Sequence, residues 1–184
     1  APGGKSLHAA DKMRNQGCVE ARDLTEYKVD LIRENVQRAG VSCVVPKVKD
    51  AEQLDAEWIG KADVVIADLP CTGYGVIGRK PDIKYHTDIE KIEQLASLQR
   101  EILTVVQEYV KPGGTLVYST CTISRPENEE NAASSTAAHR QTDAATSGRN
   151  QCETASAGHR RNRRIFYGEI PKETLKYLRN GEEV

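Results

Sequence analysis

The 184-residue chain lacks most of the features that define secreted, membrane or metal-binding proteins. It has no apolar run near the roughly 18–20 residues that a membrane span requires, and no charged-then-apolar secretory leader. Its five cysteines are an odd number without the C-x-x-C spacing of zinc sites. A net charge of −1 disfavours a strongly basic nucleic-acid binder but is compatible with an enzyme that has a local basic groove. We therefore expect a protein of the reducing cytoplasm with no membrane segment and no metal.

Large apolar side chains are absent from one long segment. Residues 132–164 contain no Val, Ile, Leu, Met, Phe, Tyr or Trp. A segment of this composition cannot bury enough apolar surface to offset the entropy lost on ordering. We therefore expect a partial folded domain over residues 1–131 and a low-complexity, disordered tail over residues 132–184. Only the residues after Pro171 could form a short helix in that tail.

Residues 1–131 alternate β-rich runs with helical patterns, which predicts an α/β fold with a mostly parallel, doubly wound sheet. The predicted strands are Cys18–Asp23, Val41–Val48, Ala62–Leu69 and Gly114–Thr120. The predicted helices are Ser6–Met13, Thr25–Ala39 and Asp88–Val110, the last with one apolar stripe from Ile89 to Tyr109. Ligands of such a sheet bind at the carboxyl ends of the strands.

The first five residues, Ala1, Pro2, Gly3, Gly4 and Lys5, form a glycine-rich loop before the first predicted helix. Paired glycines and free helix N–H groups favour contact with a phosphate or a nucleotide. The loop also resembles the end of a P-loop, so a P-loop nucleotide hydrolase is an alternative interpretation. Loops of this kind follow a buried strand, so we expect that a first strand is missing from this chain.

Three aspartates follow successive predicted strands: Asp23, Asp50 and Asp68. One such aspartate is usually a cap or turn former, but three at successive strand ends favour a nucleoside pocket. Asp23 follows the glycine loop by roughly 20 residues, the separation at which a nucleoside-binding fold places a carboxylate for ribose hydroxyls.

Two cysteines also follow predicted strands, in loops rich in Gly, Thr and Pro. Cys71 lies in Asp-Leu-Pro-Cys-Thr-Gly-Tyr-Gly and Cys121 in Tyr-Ser-Thr-Cys-Thr-Ile. If both strands belong to one parallel sheet, both cysteines emerge at the same edge, where α/β enzymes place reactive groups. Cys18 and Cys43 fit small buried side chains instead.

The phrases APGGKS, DLPCTGYGVIGRKPDIKY and KPGGTLVYSTCTI, followed by PENEEN, resemble the Fmu/Sun/NSUN family of RNA cytosine-C5 methyltransferases. The bacterial 16S ribosomal RNA branch is the most similar, and the resemblance covers about residues 1–131. It implies a Rossmann-like fold, incomplete here, that binds S-adenosylmethionine. By this resemblance the glycine loop and Asp23 would hold the methionine and ribose end, Asp50 would lie near the adenine, and Asp68 near the sulfonium and the target base.

The resemblance also assigns a role to each of the two cysteines. In this family the cysteine of the Thr-Cys motif is the nucleophile, so Cys121 would add to C6 of cytosine and activate C5 for methylation. Cys71 would assist proton removal or release of the adduct. DNA cytosine methyltransferases use the Pro-Cys residue as nucleophile, and the second cysteine motif argues against that interpretation.

A basic and aromatic group follows the Pro-Cys motif: Arg79, Lys80, Lys84 and Tyr85. These residues could contact RNA phosphates and stack on a splayed base, and a solvated basic loop is an equally weighted alternative. We expect ribosomal RNA as the partner. A non-catalytic RNA-binding remnant is a further alternative.

After Asn131 the family motifs stop. One permissible coding string for Arg160–Leu175, read one base later, gives Asp-Gly-Thr-Asp-Gly-Phe-Phe-Met-Ala-Arg-Phe, which is similar to the ending of the family. Our hypothesis is that residues from about 132 onward are translated out of frame, and that this chain is poorly stable and inactive. Resequencing the codons for Asn128–Ser135 tests the hypothesis.

Overall fold

The computed structural model describes residues 1–86, 88–135, 152–154 and 165–168. The chain divides into two units, one formed by residues 1–54 and the other beginning at Asp55. Among the described residues, no helix combines the length and the apolar character needed to cross a bilayer.

The first unit contains two parallel strands and two helices. In chain order its elements are α1 (Gly4–Lys12), β1 (Val19–Asp23), α2 (Glu26–Ala39) and β2 (Val44–Val48). β1 pairs with β2 in parallel, with Asp23 opposite Val48. Thr25 caps α2 by accepting from the Lys28 N–H, and Gly40 ends it in the left-handed conformation, as the sequence predicts.

The second unit is built around a parallel pair that joins both cysteine motifs. Its elements are β3 (Ala62–Asp68), α3 (Ile83–His86), α4 (Ile89–Val106) and β4 (Val110–Ser119), followed by a π-helical turn at Pro126–Glu130. Residues 131–135 continue this turn as a helix. β3 and β4 are parallel, and Asp68 lies opposite Ser119 at their carboxyl ends. The core holds Ala67, Ile102, Leu103, Val106, Tyr109 and Tyr118.

The helix α4 is shorter than its apolar pattern predicts. It ends at Val106, and the chain enters β4 at Val110 after a short 3₁₀ turn. Ile89, placed on the apolar stripe from sequence, is 75% exposed. The most buried face of the helix instead includes a polar residue, Gln99.

The fourth strand begins four residues before its predicted start at Gly114. The pairing with β3 shifts register between Ala62 and Val64, so β4 carries an irregularity where Lys111-Pro-Gly-Gly lies. Proline and glycine are tolerated in strands at such positions. This irregularity explains why a sequence that signals a turn lies inside a strand.

The described strands form two sheets. β1 and β2 form a two-stranded sheet, and β3 and β4 belong to a separate four-stranded sheet. No described strand pairs with both β1 and β3, which leaves the two sheets without shared hydrogen bonds.

Two short strands lie in the tail that the sequence predicts to be disordered. They are β5 (Cys152–Thr154) and β6 (Ile165–Gly168), and β6 pairs antiparallel with β4. The edge of β4 offers backbone partners to the β-prone run Ile-Phe-Tyr. The expectation of a low-complexity, disordered tail stays a prediction. The helix expected after Pro171, and the rest of the tail after residue 135, lie outside the described residues.

Of Cys18 and Cys43, both predicted to be buried, the structure confirms burial for one. Cys43 is buried in the core of the first unit. Cys18 is exposed, so the prediction of a buried side chain is wrong there, because the residue lies just before the start of β1.

Candidate active site

The parallel pairing of β3 and β4 brings the two cysteine motifs together. The Sγ atoms of Cys71 and Cys121 lie 3.1 Å apart, and both residues are free thiols. The Cys121 N–H also donates to the Cys71 Sγ at 3.2 Å. The expectation that both cysteines emerge at one edge of a parallel sheet is therefore confirmed.

The two loops that carry the cysteines are tied to each other directly. The hydroxyl oxygens of Thr72 and Thr122 lie 2.8 Å apart, and the Gly75 N–H donates to the Cys121 carbonyl at 3.0 Å. Gly73 has φ +77, and a Cβ there would lie 3.2 Å from Cδ1 of Ile83. Glycine at this position lets the loop turn tightly beside the thiols.

Burial and the hydrogen bond with the Cys121 thiol raise the pKa of Cys71 to about 12, against an ordinary value of 9.0. Both effects favour the uncharged form, since the thiolate would lose solvation and lie beside another sulfur. Cys71 is therefore a protonated thiol at neutral pH. A protonated thiol is a proton or hydrogen-bond donor rather than a nucleophile.

Asp68 lies at the end of β3, just before the Cys71 loop. Its Oδ1 accepts a hydrogen bond from the Ser119 hydroxyl at 2.9 Å, across the parallel strands. The residue is exposed. Asp68, Cys71 and Cys121 thus lie at one edge of the sheet, as the sequence predicts.

A cavity of about 460 Å³ borders the Cys71 loop. Its lining residues are Cys71, Thr72, Lys80, Asp82, Ile83, Lys91 and Leu95. One predicted RNA-contact residue, Lys80, therefore faces the same cavity as Cys71. Arg79 and Tyr85 are exposed near it in sequence, while the side chain of Lys84 lies outside the described residues.

A buried polar cluster behind the cysteines was not assigned a role from sequence. Its members are Gln99, Glu127, Asn128 and Asn131, each 0% exposed. Gln99 lies on α4 and donates to the Pro70 carbonyl at 2.7 Å, while it accepts from the Tyr118 hydroxyl at 3.0 Å. The sequence feature that could have indicated this cluster is the PENEEN run after the Thr-Cys motif. Asn131 follows Glu127 by four residues and Asn128 by three, the spacings that bring side chains together on a helix.

The glycine loop of the first unit lies at the carboxyl end of β1. The Ala1 ammonium contacts Asp23 Oδ2 at 2.6 Å, and Asn35 donates to the Pro2 carbonyl at 2.9 Å. Gly3 has φ +96, and a Cβ there would lie 3.1 Å from Cγ2 of Ile32. A Cβ on Gly4 would meet nothing within 4 Å, so the backbone of the loop faces open space at that residue.

The two strand-end carboxylates of this unit lie at the same edge. Partial burial alone would raise the pKa of Asp23, but hydrogen bonds from the Ala1 ammonium and the Leu24 N–H hold it below its ordinary value. Asp50 follows β2 and accepts from the Glu52 N–H at 3.0 Å, as a turn-forming aspartate does. Lys5, the last residue of the loop, lies on α1. Asp68 belongs to the second unit.

Comparison with known proteins places this geometry among methyltransferases. Over 131 residues the chain is 44% identical to the probable ribosomal RNA small subunit methyltransferase B of Bacillus subtilis, covering 71% of this chain and 29% of that protein. It is 38% identical over 130 residues to the ribosomal RNA small subunit methyltransferase F of Shewanella loihica, covering 71% of this chain and 27% of that protein. The chain thus spans less than a third of these relatives.

A solved structure shows the same likeness in three dimensions. NSun6 from Pyrococcus horikoshii, solved with SFG, is 30% identical and superposes with a TM-score of 0.72, covering 91% of this chain and 44% of that one. The fold is therefore a Rossmann-like methyltransferase fold, of which this chain holds a part.

The sequence matches the family described as 16S rRNA methyltransferase RsmB/F over residues 1–177. The chain belongs to this family. The match runs past Asn131, so the family likeness reaches further than the motifs alone predict.

Proposed function

We propose that this protein uses S-adenosylmethionine to methylate C5 of a cytosine in 16S ribosomal RNA, through a covalent bond between Cys121 and C6 of the base. The observation that carries the proposal is the 3.1 Å approach of two thiols from the ends of neighbouring parallel strands. Membership in a family of 16S ribosomal RNA methyltransferases supports the RNA substrate. Such a substrate places the enzyme in the cytoplasm.

The proposed nucleophile is Cys121, the role that the resemblance of its Thr-Cys motif implies. In the proposed reaction the Cys121 thiol loses its proton and its sulfur bonds to C6, which makes C5 an enamine-like carbon. S-adenosylmethionine, when bound, supplies the methyl group that C5 takes up. Loss of the C5 proton then re-forms the C5–C6 double bond, and the electron pair of the C6–S bond returns to sulfur.

Cys71 takes the second role in this scheme. Because its pKa is raised to about 12, it stays protonated and can donate to the neighbouring sulfur or to the base. This supports Cys71 as the proton donor to the departing Cys121 sulfur during release of the adduct, whereas removal of the C5 proton would require Cys71 as the thiolate. Asp68, at the end of the same strand, is proposed to contact the target base.

The first unit fits a cofactor of this kind. The backbone of the glycine loop is open to close approach at Gly4, and the Asp23 carboxylate lies beside the loop. We assign Ala1, Pro2, Gly3, Gly4 and Lys5, with Asp23, to the methionine and ribose end of S-adenosylmethionine, and Asp50 to the side of the adenine.

The RNA is proposed to lie over the loop that follows Cys71. Lys80 faces the cavity beside Cys71, and Arg79 is exposed on the neighbouring position. Tyr85 is 74% exposed, which leaves its ring accessible to a splayed base. Lys84 completes the proposed basic group.

The test traps the proposed adduct. The 184-residue chain, and in parallel a chain with an upstream strand and a frame-corrected end, are incubated with S-adenosylmethionine and 16S ribosomal RNA containing 5-fluorocytidine. Fluorine at C5 cannot leave as a proton, so the adduct accumulates and is seen on a denaturing gel. We expect the adduct to vanish in Cys121→Ala and to persist in Cys71→Ala.

Other outcomes distinguish the alternatives. An adduct that depends on Cys71 instead would overturn the assignment in favour of the order used by DNA cytosine methyltransferases. RNA binding without any adduct, in both forms of the chain, would indicate a non-catalytic remnant.

A further inference from the structure

We infer that Glu127 and Asn128 are positioning residues, which together hold the Cys71 loop and the Cys121 loop at the separation that the reaction needs. The catalytic meaning of this inference rests on the proposed function, but its geometric part does not. The two residues are neighbours in the π-helical turn Pro126–Glu130, and both are fully buried.

Glu127 holds the loop that carries Cys71. Its Oε1 accepts from the Thr72 N–H at 2.9 Å and from the Gln99 side chain at 3.2 Å. Its Oε2 accepts from the Thr72 hydroxyl at 2.7 Å. The N–H and the hydroxyl of Thr72, the residue directly after Cys71, therefore both bind one carboxyl group.

Asn128 holds the loop that carries Cys121. Its Oδ1 accepts from the Thr120 hydroxyl at 2.5 Å, and its Nδ2 donates to the Thr122 carbonyl at 3.1 Å. Nδ2 also donates to the Ser124 carbonyl at 2.9 Å. The residues on both sides of Cys121 are thus fixed by one amide.

Glu127 and Asn128 are adjacent in the chain, and this couples the two cysteine loops. Because Glu127 and Asn128 share one peptide bond, neither cysteine loop can shift without straining the bonds of the other. The Tyr118 hydroxyl adds a third attachment, since it donates to the Glu127 carbonyl at 2.6 Å. Fully bonded buried polar groups of this kind restrict a site to one arrangement.

The chemistry of the side chains selects the variants for a test. Glu127→Met keeps the volume but removes all acceptors. Glu127→Gln keeps one acceptor oxygen, and its amide can donate to the Thr72 hydroxyl, which accepts as well as donates. Asn128→Asp places a second acceptor against the carbonyls of Thr122 and Ser124. Glu130→Met is the matched control, since Glu130 is exposed on the same turn.

The readout is the rate at which Cys71 and Cys121 form a disulfide in the full 184-residue chain treated with diamide. The two thiols lose two protons and two electrons, which reduce the N=N bond of diamide to a hydrazine, and mass spectrometry identifies the joined peptides. Displacement of a reacting group by about 1 Å can cost on the order of 100-fold in rate. We expect a fall of roughly 10- to 100-fold in Glu127→Met and Asn128→Asp, and rates close to wild type in Glu127→Gln and Glu130→Met.

The comparison requires folded variants, which circular dichroism checks. If Glu127→Met and Asn128→Asp fold and form the disulfide as fast as Glu130→Met, the inference is wrong. If they do not fold, Thr72→Val and Thr72→Ser are compared instead, since Val removes the hydroxyl that binds Glu127 and Ser keeps it. Slower disulfide formation in Thr72→Val, with an unchanged rate in Thr72→Ser, supports the inference, and equal rates in the two variants overturn it.

Failure of this inference and failure of the proposed function give different results. Disulfide formation requires neither RNA nor S-adenosylmethionine, so the two ideas are tested separately. If Glu127→Met slows disulfide formation while wild type forms no covalent RNA adduct, the positioning role is supported and the methylation mechanism is wrong. Where the adduct forms, Glu127→Met should lower kcat while KM for RNA stays within about twofold, since Glu127 is buried away from solvent.

Discussion

At the scale of single residues, Cys71 and Cys121 are distinguished by what surrounds each sulfur. Burial and the hydrogen bond with the Cys121 thiol raise the pKa of Cys71, and they outweigh the Cys121 N–H, whose hydrogen bond to the Cys71 Sγ lowers it. The sequence predicts both positions, because cysteine after a parallel strand is a local pattern. It does not predict Glu127 or Asn128 as buried, because such side chains are mostly exposed and their partners come from distant parts of the chain.

The raised pKa of Cys71 predicts a distinctive alkylation profile. Iodoacetamide reacts with the thiolate, so the rate at Cys71 should still be rising between about pH 10 and 11, where a thiol with the ordinary pKa of 9.0 has levelled off. The exposed Cys18 is the internal control and should react first. A Cys71 rate that has already levelled off at about pH 10 would contradict the raised pKa.

The raised pKa of Cys71 also predicts how stability depends on pH. The free energy of unfolding should fall as pH rises from 9.0 towards about 12, since the folded chain retains a proton that the unfolded chain releases.

The two glycines of the first loop should respond differently to substitution. Gly3→Ala places a Cβ at positive φ and 3.1 Å from Ile32, so we expect a loss of about 1–3 kcal/mol in the free energy of unfolding. Gly4→Ala meets open space and should leave stability unchanged or slightly raised. Urea denaturation measures both. Equal effects would show that the loop does not have the described conformation.

At the scale of elements, β4 differs most from its prediction. A run of Lys-Pro-Gly-Gly signals a turn, yet the structure places it within a strand of ten residues, Val110–Ser119. Local patterns cannot reveal this, because the pairing partner β3 and its register shift decide whether the backbone is extended. Where the neighbouring elements agree with the local pattern, as at Thr25 and Gly40, the predicted helix ends are confirmed.

The irregularity in β4 makes Gly114 a sensitive position. A Cβ there would lie 2.8 Å from Cγ1 of Val110, 2.9 Å from the Lys111 carbonyl and 3.0 Å from the Asp63 carbonyl. We expect Gly114→Ala to cost about 1–3 kcal/mol in urea denaturation, because two of these contacts are backbone atoms that cannot move aside. Gly78→Ala, which meets nothing within 4 Å, is the control and should change stability by less than about 0.5 kcal/mol. A tolerated Gly114→Ala would argue against the described register of β3 and β4.

At the scale of the whole molecule, the chain carries two groups of proposed site residues in two units. The sequence predicts both groups and the parallel pairing within each unit. It does not predict the separate sheets, because strand order depends on which strands are present to pair. The out-of-frame origin of the tail stays a prediction, which resequencing tests.

The most direct test of the central claim is to map the trapped base on the protein. After reaction with 5-fluorocytidine RNA and S-adenosylmethionine, nuclease and protease digestion should leave a 5-fluoro-5-methyl-5,6-dihydrocytosine nucleotide, joined through C6, on the peptide that contains Cys121. The same nucleotide on the Cys71 peptide, or an unmethylated base on Cys121 in the presence of the cofactor, would contradict the account.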